Sequence, residues 1–192
     1  MLPPNIIYIT VFVSLVAFFF YFKNIIYGQT KPNLVSWFIW MLAPFIGVFF
    51  QLKAGGGLAA LPVFLAGAGS LLVIIFSFRN KNAYWKLTRL DIICGILSLT
   101  ALVFYIYTHN LSISILFAIL SDGLAFIPTF IKSWKSPETE TNSVYFADIF
   151  NNILGLLMIK NWSFTIYSFL IYLALFNTIE VIILYRKKIF SN

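Results

Sequence analysis

Apolar runs of about twenty residues alternate with short polar breaks along nearly the whole chain. The breaks read "KNIIYGQTKPN", "KAGGG", "RNKNAYWK", "THN", "KSPETET" and "KNW". Between them lie seven apolar segments, at about 5–22, 33–52, 57–78, 88–108, 111–133, 142–159 and 162–185. Each approaches the ~20 residues that an α-helix needs to cross a bilayer. The pattern predicts an all-α integral membrane protein with seven transmembrane helices.

Polar residues inside these segments recur at helical spacing. In the sixth segment Asp148, Asn151, Asn152 and Gly155 fall at i, i+3, i+4 and i+7, one face of a helix. In the fifth, Ser114, Ala118, Asp122, Ala125 and Thr129 make a small and polar stripe. The second places Trp37, Trp40, Pro44, Gly47 and Gln51 on one side. A central Asp costs roughly 2.5–3.5 kcal/mol on insertion scales, so such groups are expected to face the bundle interior. Two readings stand for the amides: lining a polar pathway, or hydrogen bonding to neighbouring helices.

Composition agrees with the pattern. Of 192 residues, 61% are hydrophobic and 10% charged, and the mean hydropathy is +0.93. A soluble domain carries about 25% charged residues, so this chain lacks the polar side chains to cover a surface in water. The net charge of +7 does not form a basic stripe; Lys and Arg sit at the ends of apolar runs. That excludes a nucleic-acid partner and suits topology-setting loops. With the N-terminus outside, eleven basic residues fall at cytoplasmic ends: Lys23, Lys31, Arg79, Lys81, Lys86, Arg89, Lys132, Lys135, Arg186, Lys187 and Lys188. Only Lys53 and Lys160 fall outside. Seven spans, N-out and C-in, are therefore expected, in a plasma (bacterial inner) membrane. "MLPPN" has no basic region ahead of the first apolar run, so that helix is expected to remain in the mature protein. The single cysteine, Cys94, excludes an intramolecular disulfide framework and a CxxC metal site.

A shift of 109 residues lays the first three segments on the last three. Lys23 falls on Lys132, Thr30 on Thr139, Asn33 on Asn142 and Val35 on Val144. The expected organisation is a three-helix repeat at 1–80, a linker helix at 81–110 and a second repeat at 111–192. An odd linker makes the repeats parallel, as in transporters with a solute site between halves near the midplane. Duplication without retained transport is the plainer explanation.

The 3+1+3 plan and "IPTFIKSWKSPETET", with Pro128 ahead of a basic turn, resemble the PQ-loop superfamily, which includes SWEET sugar facilitators, lysosomal amino-acid exporters and PnuC-type vitamin transporters. The resemblance implies a carrier whose triplets rock about a proline hinge. The sequence departs from it in three places. Thr129 stands where the hallmark Gln follows the proline, and Phe19 and Phe20 align with Pro128 and Thr129. Pro62 and Ile171 occupy the positions of the SWEET pocket asparagines.

The expected function is transport of a small polar solute (sugar, nucleoside or vitamin, or amino acid) by alternating access, with proton coupling left open. Expected solute contacts are Trp40, Asp122, Asp148, Asn151 and Asn152; hinge residues are Pro44, Pro128 and Thr129; Asn177 and Glu180 form a candidate cytoplasmic gate, with an ion pair from Glu180 to a cytoplasmic Lys or Arg as the plainer role. Asn33 and Asn142 are expected to cap their helices, and Trp37 to serve as an interfacial belt residue or a cavity wall. No cofactor or metal is expected. The expected partners are the solute and membrane lipid, with a homo-oligomer left open. A solute sensor or scaffold that does not transport is the alternative, and an intramembrane aspartyl protease using Asp122 and Asp148 is a weaker one. "SDG" and "ADI" do not resemble the GxGD element of such proteases. A retinal protein is excluded, because the seventh segment has no lysine at mid-depth.

Overall fold

The computed structural model describes residues 5–79, 85–107 and 110–189. Lys81, His109 and the side chains of Lys187 and Lys188 lie outside the described residues. Seven α-helices occur among them: α1 (Ile6–Ile26), α2 (Leu34–Lys53), α3 (Leu61–Ser77), α4 (Arg89–Tyr107), α5 (Leu111–Lys135), α6 (Ser143–Met158) and α7 (Phe164–Ile189). Two short 3-10 turns, Gly57–Ala60 and Pro137–Thr139, lead into α3 and α6. Five of the helices are long and apolar enough to cross a bilayer, counting Gly57–Ser77 as one. Helix α6 is apolar but has 16 residues; at 1.5 Å per residue it spans roughly 24 Å.

Local sequence sets several of the ends. Asn33 caps α2, its side chain accepting from the Val35 N–H at 3.2 Å. Asn110 does the same for α5 through Ser112 and Ile113. Thr88 and Asp91 form a reciprocal capping box at the start of α4, and Asp91 also accepts from Asn33 at 2.7 Å, tying α4 to α2. Asn142 differs from its expected role. Its side chain caps nothing and donates instead to the Tyr185 hydroxyl on α7. Neither internal proline ends its helix: α2 continues through Pro44 and α5 through Pro128.

The helices present apolar side chains outward and small or polar ones inward. Phe12, Leu15, Phe19, Ile96, Leu157 and Leu175 are all more than half exposed. Ser36, Ser98, Ser121, Asp122, Asn152 and Glu180 are fully buried. That inversion suits a hydrocarbon solvent, in which association relies on close packing and polar contacts. Gly69 illustrates the packing: a Cβ there would lie 1.7 Å from the Phe18 ring, so α1 rests directly on the backbone of α3.

Helix α3 packs against both α1 and α2, and α7 against both α5 and α6. Across the bundle α1 meets α6, and α2 meets α5. Helix α4 packs on α5 and on α2.

Candidate functional site: a central acidic and aromatic cavity

One buried cavity draws residues from α1, α2, α3, α5, α6 and α7. Phe18, Trp37, Trp40, Pro44 and Phe126 supply most of its apolar wall, and Asp122, Asp148 and Asn177 its strongest polar groups. About 20 Å³ is open to the centre of a water-sized sphere, enough for about one water molecule.

Asp122 is fully buried. Its Oδ2 accepts from the Tyr172 hydroxyl at 2.9 Å, while Oδ1 has no hydrogen-bond partner among the described residues. The Trp40 indole N–H reaches the Asp122 backbone carbonyl at 3.4 Å, joining α2 to α5. The Trp40 ring also lies 4.4 Å, centroid to centroid, from Phe126. Trp37 sits 5.2 Å from Trp40 and 5.1 Å from Tyr21, buried in the wall rather than placed at the interface. Asp148 keeps part of its surface accessible, and it lines the cavity. Its carboxylate accepts no hydrogen bond among the described residues. Among the described residues, no cationic side chain lines the cavity.

The sixth-helix stripe divides. Asp148 faces the cavity, whereas Asn151 and Asn152 are not among its lining residues. Asn151 donates to the Ser14 hydroxyl on α1 at 2.7 Å, and Asn152 to the Asp148 carbonyl within its own helix at 2.7 Å. The Asn151 amide ties α6 to α1, while the Asn152 amide is satisfied within α6. On α7, Asn177 and Glu180 also part. Asn177 lines the cavity and donates to the Leu173 carbonyl, one turn back. Glu180 accepts from Ser133 on α5, and its other oxygen is buried without a partner among the described residues. The buried ion pair is made by a different carboxylate: Lys132 meets Glu140 at 2.5 Å, both side chains fully buried. Thr129 donates to Ser36 of α2 at 2.9 Å, close to Pro128.

That ion pair belongs to a polar cluster at the basic end of the bundle. Tyr21 donates to Glu140 at 2.5 Å, Asn24 to Thr141 at 2.8 Å, and the Thr30 and Thr141 hydroxyls meet. The Lys31 N–H bonds the Thr139 carbonyl at 2.9 Å, and the Lys132 ammonium reaches the same carbonyl at 3.2 Å. Two turns, one after α1 and one after α5, are thereby sewn together. At the opposite end Gly55–Gly57 and Leu58 face Met158–Asn161 across a cavity of about 300 Å³. There Gln51 reaches the Ile166 carbonyl at 3.4 Å.

Sequence reasoning picked out Trp40, Asp122, Asp148 and Pro44 and missed Tyr172, Phe126, Glu140 and the burial of Lys132. Tyr172 carried a usable signal, because a buried tyrosine hydroxyl seeks a partner. The cavity also sets its own register. Phe18 and Phe126, Trp37 and Tyr145, and Trp40 and Asp148 stand 108 residues apart; Ala66 and Leu173, and Ser70 and Asn177, stand 107 apart. The 109-residue shift that matches the loops slips by one or two positions here. Each position slipped turns a helix face by about 100°. No family model, curated protein or solved structure matches the chain.

Proposed function

We propose that the protein is a seven-span membrane carrier for a small solute, built from two parallel three-helix units, α1–α3 and α5–α7, with α4 as the linker. In this reading the N-terminus is outside, the basic end is cytoplasmic, and a plasma (bacterial inner) membrane is the host. The observation that carries it is the composition of the central cavity: among the described residues six helices contribute and α4 contributes none. The neighbour relations support the pairing, since exchanging α1–α3 for α5–α7 turns the α1–α6 contact into the α5–α2 contact. A PQ-loop-type plan remains the architectural likeness.

Alternating access needs an occludable site and a gate at each end, and no catalytic group. The basic-end cluster supplies an inner gate in its closed state. Tyr21 to Glu140, Asn24 and Thr30 to Thr141, and the Lys31 N–H to the Thr139 carbonyl bridge the two units there, while the Lys132–Glu140 pair holds the second unit's turn in place. Pro128 and Thr129, one turn above Lys132, occupy the hinge position on α5, and Pro44 is a second candidate hinge, inside α2. A protease reading gains from two aspartates in one cavity, but an extended peptide does not fit a space of about 20 Å³.

A cross-link tests the gate. In a Cys94→Ala background, Thr30→Cys with Thr141→Cys places two thiols where two hydroxyls now touch. Oxidation is expected to stop solute flux in proteoliposomes, and reduction to restore it. Solute binding with no flux in either state would favour the sensor reading instead.

A further inference from the structure

Among the described residues, the central cavity is lined by two carboxylates and by no cationic side chain to balance them. Asp122 spends one oxygen on Tyr172 and leaves the other buried without a partner among the described residues. Asp148 has no hydrogen bond to its carboxylate among them. Uncompensated carboxylates in a dry interior cost several kcal/mol each unless a positive partner or protons offset them. The remaining wall is rich in aromatic faces: Trp37, Trp40, Phe18 and Phe126.

We propose that the solute is a compact organic cation, an amine or quaternary ammonium, held between Asp122 and Asp148 against the Trp40 indole. This deepens the carrier reading and rests on its cavity. Ring faces attract an ammonium through their quadrupoles, most strongly Trp, and the attraction grows when water is excluded. A hard metal ion is a poorer fit, since it takes about six or more oxygen ligands. Beyond the two aspartates, the polar side chains on the wall are few. Ser70 and Asn177 already donate to carbonyls of their own helices, and no group of three or more metal-binding side chains occurs among the described residues. A sugar needs several donors as well as acceptors for its hydroxyls. Among the described residues the wall offers two unpartnered donors, the Trp37 indole N–H and the Tyr145 hydroxyl, against two carboxylates that call for positive charge. With space for about one water now, the ammonium head enters as the two units part.

The test uses the full chain, purified and in proteoliposomes, with choline and methylammonium as cationic probes. Glucose, glutamate and sodium chloride at matched ionic strength are the controls. Choline or methylammonium is expected to quench tryptophan fluorescence and raise the melting temperature saturably, and the controls to do neither. Asp148→Asn is expected to weaken binding at least tenfold and Trp40→Leu about three- to tenfold. Asp122→Asn also alters the Tyr172 contact, so Asp148→Asn, which breaks no hydrogen bond of the carboxylate, is the deciding variant. Its melting temperature without probe controls for folding. Cation binding without flux would keep the cation site and remove the carrier reading. Uptake of glucose or glutamate with no cation binding would do the reverse. Equal binding by wild type and Asp148→Asn, binding of sodium alone, or no cation binding by a folded protein would each overturn the proposal.

Discussion

At the basic end of the bundle, side chains from both three-helix units interlock; at the other end, a glycine-rich turn after α2 and a lysine-bearing turn after α6 stand apart. Lys132 and Glu140 are fully buried, with Tyr21 and the Lys31 backbone reaching across from the first unit. The opposite turns face each other over about 300 Å³, and Gln51 makes a long 3.4 Å contact with Ile166. Gly55 and Gly57 there adopt φ of 83° and 53°, a left-handed backbone that lets the turn between α2 and α3 stay short. The difference teaches where conformational free energy is concentrated. A buried ion pair fixes one geometry and tolerates little else, whereas a loosely bonded end can spread at small cost. In a carrier, that contrast gives the two gates different thresholds.

The largest effect is expected from breaking the ion pair on one side. Glu140→Ala strands a buried ammonium and is expected to cost about 3–5 kcal/mol in thermal or denaturant unfolding of the purified protein. The pair Lys132→Met with Glu140→Leu is expected to recover most of that loss. Recovery of stability with altered flux would sharpen the gate assignment; no loss in the single variant would break the comparison. Next is Gly69→Ala, where a Cβ meets the Phe18 ring. Overpacking there is expected to lower stability by about 1–3 kcal/mol, and Phe18→Leu in the same chain should relieve it. Tyr172→Phe removes the donor to Asp122 and is expected to cost about 1–3 kcal/mol, read as a lower melting temperature. Gln51→Leu should do least, within about 0.5 kcal/mol of wild type, since its contact is long and its carbonyl oxygen is already unpartnered among the described residues. A large loss at Gln51 would mean that both ends are held equally.

Helix existence was legible because apolar runs near bilayer length have few other uses. The buried stripe of α5, from Ser114 to Thr129, follows from simple spacing and is buried throughout. The α6 stripe was half legible. Asp148 and Asn152 are i and i+4, yet one faces the cavity and the other bonds its own helix; a helical wheel cannot separate a polar group that waits for a ligand from one already satisfied. Lys132 was misread for a related reason. A lysine ending an apolar run has an adequate explanation in the positive-inside rule. Its partner lies in a turn eight residues on, where Tyr21 of α1 also reaches it. Spacing groups Asn177 with Glu180 on one face near the inner end of the seventh helix, yet Asn177 lines the central cavity while Glu180 bonds Ser133 on α5. The spacing of lysine and threonine in the loops follows a 109-residue shift, while the cavity residues pair at 107 or 108.

The 108-residue relation between Trp40 and Asp148 has a consequence for assembly. Two separate, identical three-helix chains related by a true twofold axis would present the same side chain from both sides, indole to indole or carboxylate to carboxylate. Joining the units through α4 removes that restriction. One side can then evolve as the aromatic wall and the other as the acid, so the covalent linker permits a chemically polarised pocket that a symmetric dimer of half-length chains cannot make.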